Sequence, residues 1–284
     1  MSKRRNSSNQ TKVMRKETEM KLDLLRSELA KFESLLVCYS GGTDSTLLLA
    51  VAKEQLKDKA EAVIFQTAAI PQRLFTEALK QAIDIGVHPH IVDFDILGNP
   101  SLAANPEDRC YICKQNMLAL ALELADKRGI KAVAEGSQAD DLKRHRPGRK
   151  AVAEANVFSP LEQVDLNKQE IREISRIMKL RNWANSSYSC LMTKFPFGER
   201  ITIEKLRKIA EAEEFLRDLD FKNFTVKDHG DLVRLGLGLN ETVAALGQYR
   251  EIIVRYFRTL GYEHIAADIE ESEGSTPSKG EILL

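Results

Sequence analysis

Residues 35–52 read LLVCYSGGTDSTLLLAVA. An apolar run of strand length enters two glycines and a set of hydroxyl residues, and an apolar run of helical length leaves them. The segment at 40–45, SGGTDS, is poor material for a core. A glycine turn between a buried strand and a buried helix leaves backbone N–H groups and the positive helix end facing outward, a setting made for an anion. A strand, a turn and a helix of this kind also open an α/β fold.

The rest of the chain continues the alternation. Upstream, Leu22, Leu25, Leu29 and Phe32 recur at spacings of three and four and mark one face of an opening helix. Downstream, AEAVIFQ (60–66), HIVDFDI (90–96) and KAVAEGS (131–137) read as strands. LFTEALKQAIDIG (74–86), ended by Gly86, and YICKQNMLALALELADKRG (111–129) read as helices. Strands separated by helices predict a parallel sheet with helices on both faces, in which ligands collect at the carboxyl ends of the strands.

From about residue 200 the pattern changes. TIEKLRKIAEAEEFLRDL (202–219) is helical, FTVKDHG and DLVRLGLG (224–238) form a strand pair, ETVAALGQYREIIVRYFRTLG (241–261) is one helix, and HIAADI (264–269) is a last strand. The expected fold class is therefore α/β with a smaller C-terminal α+β domain. Residues 1–16 form a basic arm expected to be disordered, 17–199 the parallel-sheet domain, 200–269 the α+β domain, and 270–284 a disordered tail.

Composition narrows the function classes. The 284 residues are 43% hydrophobic, enough for an ordinary core. Lys plus Arg and Asp plus Glu are balanced at 42 each, so no general basic excess points to nucleic acid, which is not an expected partner. No apolar run approaches the roughly 18 residues that span a bilayer, and no apolar signal core follows the basic start. No membrane partner and a cytoplasmic location are the expectation. The four cysteines then read as metal ligands or reactive thiols rather than a disulfide framework.

A nucleotide loop ending in Gly-Lys-Ser/Thr would need a lysine to reach the outer phosphates, and none lies between Ser40 and Thr46. Short hydroxyls and glycines suit a loop that grips pyrophosphate as a leaving group. Ser40, Gly41, Gly42, Asp44 and Ser45 are its nucleotide-binding candidates, with Asp44 placed to hold Mg²⁺. SGGTDS resembles the signature of the PP-loop ATP pyrophosphatases. That resemblance implies ATP as cosubstrate, cleaved between its α and β phosphates while a substrate oxygen becomes adenylated.

NPEDRCYICK holds Cys110 and Cys113, and SSYSCLMTKFPFGERIT holds Cys190 about 77 residues later. A Cys-x-x-Cys pair by itself is a redox dithiol, half a zinc site or half a cluster site. Cys38 lies inside the first apolar strand and reads as core, and no histidine stands at ligand-like spacing from the other three. Three thiolates without an evident fourth ligand would suit a [4Fe–4S] cluster with one open iron.

NPEDRCYICK, EGSQADDLKRHRPGRKA, SPL and CLMTKFPFG together are similar to the LarE proteins, from about Lys31 to Asp268. That resemblance implies an ATP-dependent sulfur transferase of nickel-pincer cofactor synthesis. Such an enzyme adenylates a carboxylate of pyridinium-3,5-biscarboxylic acid mononucleotide and converts it to a thiocarboxylate. It implies Cys190 as the catalytic residue, either as a sacrificed sulfur donor or as a cluster ligand with Cys110 and Cys113. Arg146, in the polar RPG loop, could pair with a phosphate or carboxylate. Lys194 stands where the family usually has arginine, and Glu213 matches an acidic position. Thr225 and Lys227 replace a basic pair, and a YRSG-like string is missing near the C-terminus. Arg146, Lys194, Glu213 and Lys227 are the substrate-binding candidates, a small carboxylated mononucleotide is the expected partner, and a homo-oligomer is the expected assembly. A PP-loop tRNA-thiolating enzyme and an ammonia-dependent synthetase are the competing readings. The first would need a basic RNA-facing surface, and the second has no use for three cysteines.

Overall fold

A computed structural model of the chain describes residues 14–143, 147–184 and 188–269. The basic arm through residue 13 and the tail from residue 270 lie outside them. α1 (Lys16–Leu29) leads to β1 (Leu35–Cys38), α2 (Thr43–Leu56), β2 (Ala60–Gln66), α3 (Gln72–Ile85) and β3 (His90–Asp93). A short α4 (Pro100–Ala103) and the long α5 (Arg109–Arg128) precede β4 (Ala132–Ala134). α6 (Gly148–Glu154), α7 (Pro160–Gln163) and α8 (Lys168–Ile177) follow.

The first four strands form one parallel sheet in the order β3-β2-β1-β4. β1 is central, pairing Leu35 with Ala60 on one side and with Ala132 on the other. Leu35, Leu36 and Val37 are fully buried, as a strand covered on both faces requires. The edge strand β3 alternates half-buried and exposed residues. Gly86 and Gly129 end α3 and α5 in the left-handed conformation that glycine adopts without strain. Beyond β4, Phe158 continues the sheet: its N–H donates to Val133 O and its carbonyl accepts from Glu135 N.

Alternate residues of β1 face different cores. Leu35 and Val37 pack with α1, α2, α3 and α8 through Leu25, Leu29, Leu48, Phe75 and Ile171. Leu36 packs on the other face with Leu118 and Ala121 of α5. Each fully buried leucine contributes about 1.5–3 kcal/mol. Arg15 and Lys16, at the end of the basic stretch, are ordered: Lys16 begins α1, and the Arg15 guanidinium meets Glu173 at 2.7 Å.

The C-terminal stretch comprises α9 (Ile203–Asp218), β5 (Phe224–His229), β6 (Leu232–Leu237), α10 (Leu239–Leu246), α11 (Arg250–Thr259) and β7 (His264–Ala267). β5 and β6 are antiparallel and β7 joins β6 in parallel. The helix expected over 241–261 is in fact two. The chain leaves helical geometry at Gly247 (φ −101°, ψ −98°), where glycine's conformational freedom weakens the helix, and resumes at Arg250. Val226, Val233, Leu235 and Phe257 belong to the same apolar cluster as Leu36 and Phe65, so this sheet shares its core with one face of the parallel sheet. Among the described residues, no helix is long and apolar enough to cross a membrane.

Candidate functional site

Strand order reverses direction at β1, where β2 and β3 extend to one side and β4 lies on the other. The crevice between the carboxyl ends of β1 and β4 is where an open α/β sheet binds ligands. Residues 40–45 turn through this point. Gly41 has φ +76°, and a Cβ there would lie 2.4 Å from Cβ of Ala78 on α3. Only glycine fits. The Ser40 and Ser45 hydroxyls lie 3.1 Å apart, and Ser45 Oγ donates to Gly42 O at 3.2 Å. Gly42 caps α2 without a side-chain oxygen, which leaves the first-turn N–H groups and the helix dipole to a ligand. From the β4 side, Gly136 comes so close that a Cβ would sit 3.0 Å from Ser45 N.

A second segment locks the loop from behind. The Asn182 amide donates to Gly41 O and to Thr46 Oγ1, each at 2.8 Å, and Asn182 O accepts from Thr43 Oγ1 at 3.1 Å. Asn182 is 1% exposed. Asn182→Ala is expected to lower stability by about 1–3 kcal/mol by stranding these buried acceptors, read as a shifted urea midpoint with an unchanged slope.

Asp44, the Mg²⁺ candidate, is ion-paired with Lys168 Nζ at 2.7 Å. In the turn after β4, Asp140 accepts the N–H of Lys168, and Asp141 accepts from Gln138 N and Nε2. A carboxylate at the mouth of a phosphate-type loop still suits Mg²⁺, which binds through one or two carboxylates plus the phosphates of its ligand.

Cys110 and Cys113 occupy the first two turns of α5, and Cys190 opens a short helical turn at Leu191–Lys194. The two segments are stitched together by Asn105. Its amide donates to Pro196 O at 2.7 Å, its carbonyl accepts from Gly198 N at 2.8 Å, and its Oδ1 accepts from the buried Arg109. Arg109 also stacks over Phe197, 4.8 Å from the ring centre. Leu191 N donates to Ala69 O, fixing the Cys190 turn to the loop after β2. The three thiols are thereby electrostatic neighbours. Burial, then Cys190 and Cys110, push the Cys113 thiol up to about 12. Burial likewise raises Cys190, opposed by the Met192 N–H, Arg109 and Lys194.

Lys114 joins the Cys110–Cys113 turn to the end of β4, beside the glycine loop. Its ammonium meets the buried Glu135 at 2.9 Å, at the end of β4, and couples also to Cys38 at the end of β1 and to Cys113. Burial raises the Glu135 carboxyl, but Lys114 and hydrogen bonds from Ser137, Lys114 and Ser159 bring it net below its ordinary value. α6 abuts this turn: a Cβ at Gly148 would lie 3.6 Å from Lys114 Cβ and 3.7 Å from Cys110 O. Arg146, two residues earlier, lies outside the described residues. Cys38 is half-buried, packs against the core as the sequence suggested, and is pushed up to about 11 by burial.

Lys194 and Glu213 form a buried pair at 3.0 Å, with side chains 5% and 2% exposed. Lys194 also donates to Thr225 Oγ1, while Glu213 accepts from Tyr188 OH and Arg217. Lys227 is on the same face of β5, opposite Arg234 of β6, which pairs with Asp268 at 2.6 Å. Burial, Arg234 and Lys194 lower the Lys227 pKa. Lys194 and Arg234 are thus each held by a carboxylate, with Lys227 between them on β5.

Sequence reasoning missed Lys168, Asn182, Arg109, Lys114 and Glu135. Lys168 and Asn182 reach the loop from about 124 and 141 positions away, and nothing local announces that meeting. Asn167 and Glu170, an Asn-x-x-Glu capping box, did mark where α8 and its lysine begin.

No family model matches the chain. An uncharacterized protein, slr1717, of Synechocystis sp. is 34% identical over 257 residues, covering 89% of this chain and 94% of that protein. The pyridinium-3,5-bisthiocarboxylic acid mononucleotide synthase of Lactiplantibacillus plantarum is 27% identical over 249 residues, 86% of this chain and 89% of the relative. An uncharacterized protein, MJ0830, of Methanocaldococcus jannaschii is 27% identical over 243 residues, 86% of this chain and 92% of its own length.

Proposed function

Since the chain belongs to the LarE-like family, we propose that it is an ATP-dependent sulfur transferase that turns a carboxylate of a small mononucleotide into a thiocarboxylate. One observation carries this reading. Lys114, the residue after Cys113, meets Glu135 at 2.9 Å, and the next residue of that turn, Gly136, packs against Ser45 of the glycine loop. A phosphate-type loop and a sulfur source therefore share one end of the sheet.

In the first step the substrate carboxylate oxygen attacks the α-phosphorus of ATP, and the bond to pyrophosphate breaks. The N–H groups opening α2 and the Ser40 and Ser45 hydroxyls receive the departing pyrophosphate, with Asp44 as the residue that would hold Mg²⁺. In the second step a sulfur nucleophile attacks the acyl carbon, and the bond to AMP breaks; where that sulfur is Cys190 Sγ, the thioester formed is released by loss of the Cys190 Cα proton and cleavage of its Cβ–Sγ bond, leaving dehydroalanine and the thiocarboxylate. Cys190 lies in the apolar cluster around Leu191 and Met192, which keeps water from the acyl adenylate. Lys227 offers positive charge to the substrate's remaining anionic groups, while Lys194 stays paired with Glu213 and Arg234 with Asp268.

Cys110, Cys113 and Cys190 are the residues that would hold a [4Fe–4S] cluster, which supplies an iron open to an extra sulfide. The donor set fits. The thiols couple electrostatically, yet their sulfurs do not all fall within 4.8 Å of one another. A single tetrahedral zinc would draw them to about 3.8 Å. Arg109 and Lys194 bring positive charge toward the thiolates.

The test uses protein purified without oxygen, given ATP and pyridinium-3,5-biscarboxylic acid mononucleotide. Equal amounts of AMP and pyrophosphate are expected, with a product in which sulfur has replaced one oxygen. A brown protein with about four irons per chain supports the cluster. A colourless protein that loses the mass of one H₂S per turnover assigns the sulfur to Cys190 itself. Failure to release pyrophosphate with this or related carboxylates would refute the reading.

A further inference from the structure

Among the described residues, six that are not glycine take a positive φ, and four of these are Asn or Asp, which adopt that backbone with little strain. The other two are lysines, Lys57 at φ 55° and Lys179 at φ 59°. Lys57 ends α2 and Lys179 follows α8, positions where glycine is the usual residue. They are remote in sequence, yet both line one groove. The fold alone favours glycine at each, so the two ammonium groups answer to something else.

The groove follows α2 from Thr46 to Lys57, bordered by α3 and by the segment after α8. Its volume of about 710 Å³ is that of a small-molecule pocket. Ala50, Ile85, Met178 and Leu180 give it an apolar surface. Lys53, Lys57, Lys179 and Arg181 line it together with only two carboxylates, Glu54 and Asp84. Those carboxylates are engaged, Glu54 by Arg26 and Asp84 by Arg181, each at 3.0 Å. Lys53 pairs with the fully exposed Asp58, whereas Lys57 and Lys179 meet no carboxylate among the described residues. Gln81 adds the opposite need: its Oε1 is buried without a hydrogen-bond partner.

We propose that this groove is a second ligand site, taking a small organic anion with an apolar body and an N–H or O–H donor, and that its occupant acts on the glycine loop through Thr46. Lys57 and Lys179 take the anionic group, Ala50 and Leu180 the apolar body, and Gln81 Oε1 the donor. None of Ser40, Gly41, Gly42 and Ser45 lines the groove, so it is separate from the crevice at the strand ends. Thr46 connects the two. Its hydroxyl accepts from the Asn182 amide that also holds Gly41 O, so an occupant bearing on Thr46 bears on the clamp of the loop. Only this action on the loop, and not the binding, rests on the nucleotide reading above.

The probe is anilinonaphthalene sulfonate, which carries fused apolar rings, a sulfonate and one N–H, titrated by fluorescence into the full chain. Lys57→Gly combined with Lys179→Gly removes both ammonium groups and relaxes both backbones. Its urea midpoint is expected at or above that of the wild type, while probe affinity falls about 10-fold or more, the loss of a charge-assisted hydrogen bond. Lys57→Arg with Lys179→Arg should keep the affinity, and Ala50→Glu, which sets a carboxylate on the apolar wall, should abolish it. Saturating probe should shift ATP affinity by about 5-fold or more, and ATP should shift probe affinity by the same factor. Equal probe affinity in wild type and the double glycine variant would overturn the site, since dye held on the exposed Leu239, Val243 and Leu246 of α10 is indifferent to both lysines. Mutual exclusion of probe and ATP would put the dye in the nucleotide crevice and overturn it too. ATP affinity unchanged by saturating probe would overturn the action on the loop. A chain that binds no ATP refutes the nucleotide reading and that action with it, while the comparison of variants still decides the groove.

Discussion

Cys190→Ala protein is expected to release pyrophosphate from ATP in the presence of its carboxylate substrate, yet to form thiolated product at least roughly a thousandfold more slowly. The separation follows from where the side chain lies. Its thiol packs against the apolar cluster, within the electrostatic reach of Arg109, Cys110 and Lys194. The turn's own framework is backbone: Thr193 N and Oγ1 donate to Cys190 O, and Leu191 N to Ala69 O. Alanine preserves those bonds, so the fold and the nucleotide loop should survive. Liquid chromatography with mass detection of AMP and product checks both halves of the statement. Thiolation by the variant at the wild-type rate would exclude Cys190 from sulfur delivery in any form.

The companion variants separate two roles that sequence leaves open. If the three thiols hold a cluster, Cys110→Ala and Cys113→Ala lose thiolation together with Cys190→Ala and the protein loses its colour, because the ligands act as one unit. If Cys190 is the donor, the first two variants retain a single turnover. Each of the three cysteines lies in the electrostatic field of another, which the cluster role needs and the donor role does not.

Much of the parallel sheet was legible because its signals are local. β2 at Ala60–Gln66 coincides with AEAVIFQ, and Gly86 and Gly129 stop their helices where the sequence placed them. Apolar runs and left-handed glycines need no distant partner to be recognised. The break between α10 and α11 was hidden because Gly247 lies inside an otherwise helical pattern, and a single glycine is tolerated there as often as it interrupts. The site divides in the same way. SGGTDS and the three cysteines are contiguous or self-evident in chemistry, so they could be named from sequence. The Asp44–Lys168 pair, the Asn182 clamp and the Asn105 stitch exist only once α8, the 180s segment and the chain before α5 have been folded against β1. Charge alone could not reveal them, since 42 basic residues offer many partners for one aspartate.

Gly41→Ala is expected to lower stability by about 2–5 kcal/mol and to remove measurable ATP binding. Two effects add. A left-handed backbone at φ +76° costs a residue with a side chain about 1–2 kcal/mol. The new methyl would also meet Cβ of Ala78 at 2.4 Å and its Cα at 3.1 Å, and overpacking of that kind costs about 1–3 kcal/mol. Ala78 cannot yield easily, for it is buried on α3 and its carbonyl accepts the Tyr39 hydroxyl at 3.1 Å. Relief must come from the loop, whose carbonyl at Gly41 is the one that Asn182 holds. Moving it turns the first N–H groups of α2 away from the anion they are proposed to bind. Gly198→Ala is the control, with φ +78° and nothing within 4 Å of the added methyl, so it carries the backbone penalty without the collision. Urea unfolding and ATP titration of both variants decide the matter. Gly41→Ala no less stable than Gly198→Ala, with ATP affinity intact, would mean that the loop does not depend on close contact with α3 and that its grip on pyrophosphate has another origin.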